Sequence, residues 1–225
     1  MMQAVIFDMD GTLFQTESIL ESSLDDTFTY LRSKGLWEEE CPTPIDTYRN
    51  IMGVPLPVVW ETLLPESTEI VRIDANKIFH EKLIVNIKKG NGALYPHVEK
   101  ALATLKQQNL DIYIASNGQI PYLAAIVEHY HLDRWVKETW SIEQVESLSK
   151  TDMVKQIMMK HGITTGAVVG DRLSDIIAAK ENGLLAIGCR FDFAQDDELV
   201  QADVVIDKME ELEGVLIDRY TYLGH

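Results

Sequence analysis

The sequence predicts an α/β fold, a parallel sheet with helices on both faces, carrying a smaller all-helical insert near its start. Three observations predict it. From about Tyr95 onward, short apolar runs that end at polar residues or glycine alternate with stretches of helical spacing, the rhythm of strand–helix crossovers. One further run, Val5-Ile6-Phe7, stands alone at the beginning of the chain. Between it and the rest lie about 75 residues whose apolar positions recur only at helical intervals. A lone strand must pair with something, so the first strand joins the later ones across the insert.

The first strand stops at Asp8 and Asp10, after which Gly11 and Thr12 turn the chain away. Ile19, Leu20, Leu24, Phe28 and Leu31 then repeat with helical period, and Gly35 closes that segment. Thr43-Pro44 reads as an N-cap followed by proline in the first helical position, opening a short helix that Gly53 ends. Pro55, Pro57 and Pro65 punctuate a connecting piece. A longer helix follows, with Ile70, Ile73, Ile78, Phe79, Leu83 and Ile87 as its apolar positions. Lys88 and Lys89 suit its C-terminal dipole, and Gly90 and Gly92 break it. This divides the chain into a core of residues 1–14 and 91–225 and an insert of residues 15–90.

In the core, a helix over Val98 to Gln107 leads to a strand, Leu110 to Ala115, that stops at Ser116-Asn117-Gly118. Pro121 starts a helix reaching Tyr130, and a weaker strand spans Trp135 to Thr139. Lys150 precedes a helix from Thr151 to His161, with Gly162 beyond its end. Ala167 to Gly170 is a short buried strand ending at Asp171, and Leu173 to Asn182 is helical. Leu184 to Ile187 and Val204 to Ile206 complete the strands. No internal repeat or low-complexity tract is present.

The 225 residues carry 36 Asp and Glu against 20 Lys and Arg, a net charge of −16. Nucleic acid and anionic membrane surfaces would be repelled, which argues against both as partners. Cys41 and Cys189 are far apart and lack metal-site spacing, which fits a reduced, cytoplasmic protein. No stretch reads as a signal peptide or a membrane span.

Alternate residues of an extended strand share a face, so Asp8 and Asp10 can converge. Two like charges about 4 Å apart repel by roughly 4 kcal/mol at an effective dielectric near 20. A hard divalent cation is the usual reason to place them together; solvated aspartates at a strand end are the alternative. Ligands of parallel sheets bind beyond the carboxyl ends of the strands. At those ends lie Asp8 and Asp10, Ser116 and Asn117, and Asp171 with Asp175 one turn later, while Lys150 opens a helix whose N-terminus could face an anion.

Taken together and in order, Asp8-Met9-Asp10-Gly11-Thr12, Ser116-Asn117, Lys150 and Gly170-Asp171-Arg172-Leu173-Ser174-Asp175 resemble the four motifs of the haloacid dehalogenase superfamily. The resemblance spans nearly the whole chain, and within the superfamily the chain is similar to the phosphoglycolate phosphatase and β-phosphoglucomutase branch, in which a helical cap follows the first motif. It implies a Rossmann-like core and a magnesium-dependent phosphatase acting on a small phosphorylated metabolite. Asp8 would be the nucleophile that accepts the phosphoryl group, and Asp10 the general acid and then base. Asp8, the Asp10 backbone carbonyl and Asp171 would hold Mg2+, with Asp175 a ligand or the support of one. Ser116 and Asn117 would bind phosphoryl oxygens, and Lys150 would screen charge. Asp10 favours phosphate esters, because family dehalogenases lack a carboxylate there. A sugar-phosphate mutase would share every one of these residues, and a regulatory protein that binds a metabolite without turnover is an alternative of another class. Monomer and homodimer both fit.

The chain departs from the family pattern where Gln15 replaces a frequent Asp, where Thr-Asp follows Lys150 instead of Pro, and where His97 follows Tyr95-Pro96 in place of a common Gly. These departures weaken an assignment to phosphoglycolate in particular. Arg49 falls where such caps often contact substrate, Glu17 lies near the hinge into the insert, and Arg172 adjoins a metal-ligand position. Each is a possible substrate contact, set against a solvated helix face for Arg49 and an ion pair with a neighbouring acid for Arg172.

Overall fold

The computed structural model describes residues 2–51, 56–192 and 194–222. Gly53 and Pro55, read above as a helix stop and a break, lie outside them. The chain opens with β1 (Ala4–Phe7) and runs through α1 (Glu17–Ser33), α2 (Ile45–Asn50), α3 (Leu56–Leu63) and α4 (Glu69–Lys88). It returns with α5 (Val98–Gln107), β2 (Asp111–Ser116), α6 (Ile120–His129), β3 (Val136–Ser141) and α7 (Lys150–His161). Then come β4 (Gly166–Gly170), α8 (Leu173–Glu181), β5 (Leu185–Cys189), α9 (Asp196–Leu199), β6 (Val204–Ile206) and α10 (Leu212–Tyr222). Two compact units result: Met1–Gln15 with Ala93–His225, and Thr16–Gly92. Among the described residues no helix is long and apolar enough to cross a membrane.

The larger unit is built on a parallel six-stranded sheet in the order β3-β2-β1-β4-β5-β6. β1 lies inside it: Ala4 is opposite both Asp111 and Gly166, and Phe7 opposite both Ile114 and Val169. All four residues of β1 are buried, which is why it reads as a continuous apolar run with no alternation. On one face Met153, Val154 and Ile157 of α7 and Ile176, Ala178 and Ala179 of α8 join Ile6, Tyr113 and Val168 in one cluster. Each large aliphatic side chain so buried contributes about 1.5–3 kcal/mol. The sheet order reverses between β1 and β4, so the crevice past their carboxyl ends is where ligands of such sheets bind.

Among its described residues, the secondary-structure elements of the smaller unit are all helices, joined by turns and loops. Ile19, Leu24, Phe28 and Leu31 of α1 are buried, as are Ala75, Phe79, Leu83 and Ile87 of α4, and the two helices pack together. Phe79 lies between Tyr48 of α2 and Trp60 of α3, both edge-on. Three expectations change here. Ile70 and Ile73 are exposed, and the buried stripe of α4 is instead 75-79-83-87, continued by Asn86. Asn86 is satisfied by donating to Ser23, Asp26 and the Lys82 carbonyl. The piece read as a Pro-punctuated connection contains α3, because Pro57 falls in its first turn, where no helical partner for an N–H exists. Pro44 precedes α2, and Thr43 does not cap it: its hydroxyl donates to Asp25 at 2.5 Å.

Candidate active site

The site is assembled at the carboxyl edge of the sheet. Asp8 follows β1 directly, and its N–H still donates to Val169 of β4 at 2.9 Å. The Met9 carbonyl then accepts from the N–H groups of both Leu13 and Phe14 at 2.9 Å, winding the chain into a tight loop. Gly11 takes φ +75° in that loop, and a Cβ there would lie 2.5 Å from Asp171 Oδ2. A Cβ on Gly170 would overlap the Asp175 carboxylate. Both glycines are therefore required by the close approach of backbone to carboxylates, and at Gly11 by the left-handed conformation as well.

Asp8, Lys150, Asp171 and Asp175 are each less than a tenth exposed. Lys150, the first residue of α7, has its Nζ 2.5 Å from both Asp8 Oδ1 and Asp175 Oδ1. Ser149 caps that helix by accepting the Asp152 N–H. Asp8, Asp171 and Asp175 each bring an oxygen to within 4.8 Å of the other two. Thr12 Oγ1 donates to Asp171 Oδ1 at 3.4 Å.

Burial pushes the Asp8 carboxyl well above the usual range; Lys150 pulls it down, but Asp175, Asp171 and Asp10 push it up again. Burial and then Asp175 lift Asp171 to about 7, against Lys150. For Lys150 burial disfavours the ammonium, yet Asp175 and Asp8 outweigh it and hold its pKa above the ordinary value. Three buried carboxylates thus face one ammonium. That excess of negative charge, presented by close hard oxygen donors, fits a divalent cation.

The other expected residues are placed as follows. The Asp10 carboxylate is outside the group of three: β1 has already ended, and Asp10 Oδ1 accepts from the Tyr122 hydroxyl at 2.5 Å. Ser116 ends β2 and is buried, its Oγ accepting from Gly118 N–H at 3.0 Å, while Asn117 is exposed. Arg172 forms a two-pronged pair with Glu198 of α9, Nε at 3.0 Å and Nη2 at 3.2 Å, so of its two readings the ion pair is the one observed. Arg49, in α2 of the smaller unit, pairs with Glu21 at 2.5 Å and Asp46 at 2.9 Å. Glu17 is exposed in the first turn of α1. Sequence reasoning did not assign Thr12 or Tyr122. Thr12 sat inside the first motif, but Tyr122 had no signal, because nothing local ties a residue near the start of α6 to Asp10, 112 positions earlier.

A family model described as haloacid dehalogenase-like hydrolase matches residues 2–183. The chain is 27% identical to the probable phosphatase IndB of Dickeya dadantii, the match covering 93% of this chain and 91% of that protein. It is 24% identical to the phosphoglycolate phosphatase of Escherichia coli, over 93% and 90%. In fold it is similar to a predicted phosphoglycolate phosphatase from Haemophilus somnus, with TM-score 0.81, 18% identity and coverage of 96% and 98%. It is likewise similar to a putative β-phosphoglucomutase from Thermotoga maritima, with TM-score 0.77, 23% identity and coverage of 96% and 99%.

Proposed function

The chain belongs to the haloacid dehalogenase-like hydrolases, and on that premise we propose that it is a magnesium-dependent phosphatase of small phosphorylated metabolites, acting through an aspartyl phosphate. The observation that carries the proposal is the buried set of Asp8, Lys150, Asp171 and Asp175 at the reversal point of the sheet. The names of its curated relatives support it.

In this reading a carboxylate oxygen of Asp8 attacks phosphorus in line, and the bond to the ester oxygen breaks. Asp10 gives its proton to the departing oxygen. Water then attacks the phosphorus of the aspartyl phosphate, Asp10 takes the proton back, and inorganic phosphate leaves Asp8 free again. A carboxylate is a weak nucleophile, so most of the acceleration comes from positioning and from neutralising charge. Lys150 holds Asp8 in place and offsets charge beside it. Ser116 and the backbone after it bind phosphoryl oxygens, with Asn117 beside them. Asp8, the Asp10 carbonyl and Asp171 would hold Mg2+, with Asp175 as a ligand or the support of one; when bound, the ion supplies charge neutralisation at the phosphoryl oxygens. The helical insert acts as a cap that selects substrate, hinged at residues 13–17 and 88–92.

The test is phosphate release from a panel of phosphorylated metabolites with Mg2+ and again with a chelator. Release that the chelator abolishes is expected. No release from any ester with Mg2+ present would contradict the proposal. Isomerised sugar phosphate with little free phosphate, dependent on a bisphosphate activator, would replace it by a mutase. Tight ligand binding without turnover would replace it by a regulatory protein.

A further inference from the structure

We propose that Tyr122 is a positioning residue for Asp10, its hydroxyl fixing the carboxylate that exchanges the proton with the ester and with water. The inference rests on the phosphatase reading above and adds to it a residue outside the four motifs. Tyr122 stands near the start of α6, one loop away from the end of β2, and is buried. Its Oη donates to Asp10 Oδ1 at 2.5 Å, joining the loop after β1 to the helix after β2.

The tyrosine is itself held. A Cβ on Gly118 would sit 3.1 Å from Tyr122 Cδ1 and 3.0 Å from Leu123 Cδ2, so the ring and its neighbour close directly over the loop that follows Ser116. The Ile120 N–H at the head of α6 donates to Glu143 at 2.8 Å, and Ser141 Oγ donates to the Gly118 carbonyl at 2.6 Å. The start of α6 is thereby tied to the end of β3 and the turn after it. A phenol in such a frame offers its hydrogen at a fixed point.

Asp10 needs that fixed point. It lies in a loop after β1 has ended, and its carboxylate is not part of the group formed by Asp8, Asp171 and Asp175. An aspartate has two side-chain torsions, and a general acid works only with its oxygen within about 2.6–3.2 Å of the atom it protonates. The bond at Oδ1 restricts both torsions and so holds the carboxylate in one orientation for proton exchange. The consequence is specific to kcat/KM, which ends at phosphoryl transfer to Asp8 and leaves out the later attack of water common to all esters: there Tyr122 matters where the leaving oxygen needs a proton and matters little where it does not.

The test compares wild type and Tyr122→Phe, an isosteric change that keeps the ring, on the best alkyl phosphate of the panel and on p-nitrophenyl phosphate. For the alkyl ester kcat/KM is expected to fall about 10- to 100-fold with KM within about twofold, whereas for p-nitrophenyl phosphate, whose leaving group departs unprotonated, the fall stays under about threefold. Equal losses on the two esters, or no loss on either, overturn the proposal. On whichever ester is turned over, Asp10→Asn/Tyr122→Phe is expected to be no slower than Asp10→Asn alone. A double variant slower by the full factor of Tyr122→Phe also overturns it, because the two residues would then act independently. A wild type that releases phosphate from neither ester overturns the phosphatase reading and this proposal with it, an outcome distinct from an active wild type insensitive to Tyr122→Phe.

Discussion

Asp171 shows how far the site is built against the interest of the fold. Burial and Asp175 raise its carboxyl from an ordinary 3.8 to about 7. In the unfolded chain the proton leaves near pH 4, whereas in the folded, metal-free protein it is kept until about pH 7. The folded state binds more protons across that window, so the stability associated with this group is complete below pH 4 and lost as pH rises through 7. Asp171→Asn keeps the shape without the charge. At pH 8 without metal it is expected to raise Tm by a few degrees while abolishing turnover, and calorimetry beside a phosphate assay checks both. His97 is a residue-scale matter of another kind. It adopts φ +67°, in the left-handed region that favours glycine. A left-handed non-Gly residue costs about 1–2 kcal/mol, part of which glycine gives back as unfolded-chain entropy. His97→Gly is expected to stabilise by roughly 0.5–1 kcal/mol in urea unfolding, even with its 3.4 Å contact to Glu210 lost.

At the scale of elements, α9 explains why Arg172 does not point to substrate. Glu198 accepts from both arms of Arg172 and, at 2.8 Å, from the N–H of Leu173 at the start of α8. It thus anchors the turn that carries Asp171 and Asp175 on either side of Arg172. Glu198→Ala removes these bonds and should cost about 1–2 kcal/mol of stability and weaken Mg2+ binding, read by urea unfolding and by titration of the ion into the metal-free protein. An ion pair was one of two readings of Arg172 in the sequence, but its partner and α9 were not legible. The run Asp196-Asp197-Glu198-Leu199 has one buried apolar residue and no period to detect. α10 escaped for a related reason: it carries Gly214 in its first turn, where glycine reads as a break. α1, α5 and α7 were legible because their buried positions recur at three and four residues. α4 was legible as a helix and, through Phe79, Leu83 and Ile87, in the later part of its buried face, but not at its start, where Ile70 and Ile73 are apolar yet exposed, nor at Asn86, which takes a buried place because its amide is satisfied.

For the molecule as a whole, the parallel sheet and the helical stretch after its first strand were readable because strands buried on both faces announce themselves as unbroken apolar runs. The meeting of Asp8, Lys150, Asp171 and Asp175 was readable only through the order of short motifs, since Asp8 lies more than 140 positions from the other three and shares no local pattern with them. Tyr122 and Glu198, the partners of Asp10 and Arg172, belong to no motif, so coordinates were needed to find them. One global consequence of the proposed metal site concerns pH and metal together. With Mg2+ held as proposed, protons and the ion compete for Asp8 and Asp171, so Mg2+ is expected to raise Tm more at pH 8 than at pH 5. Scanning calorimetry at both values, with and without the ion, checks this; an equal shift at both would mean that the ion binds elsewhere.

The most direct measurement is phosphate release by wild type and Asp8→Asn, side by side, on the best ester with Mg2+ present. A carboxamide cannot accept the phosphoryl group, so kcat is predicted to fall by at least about a thousandfold while the variant remains folded. An Asp8→Asn protein that keeps its turnover within about tenfold of wild type would contradict the account, because the phosphoryl group would then never rest on Asp8.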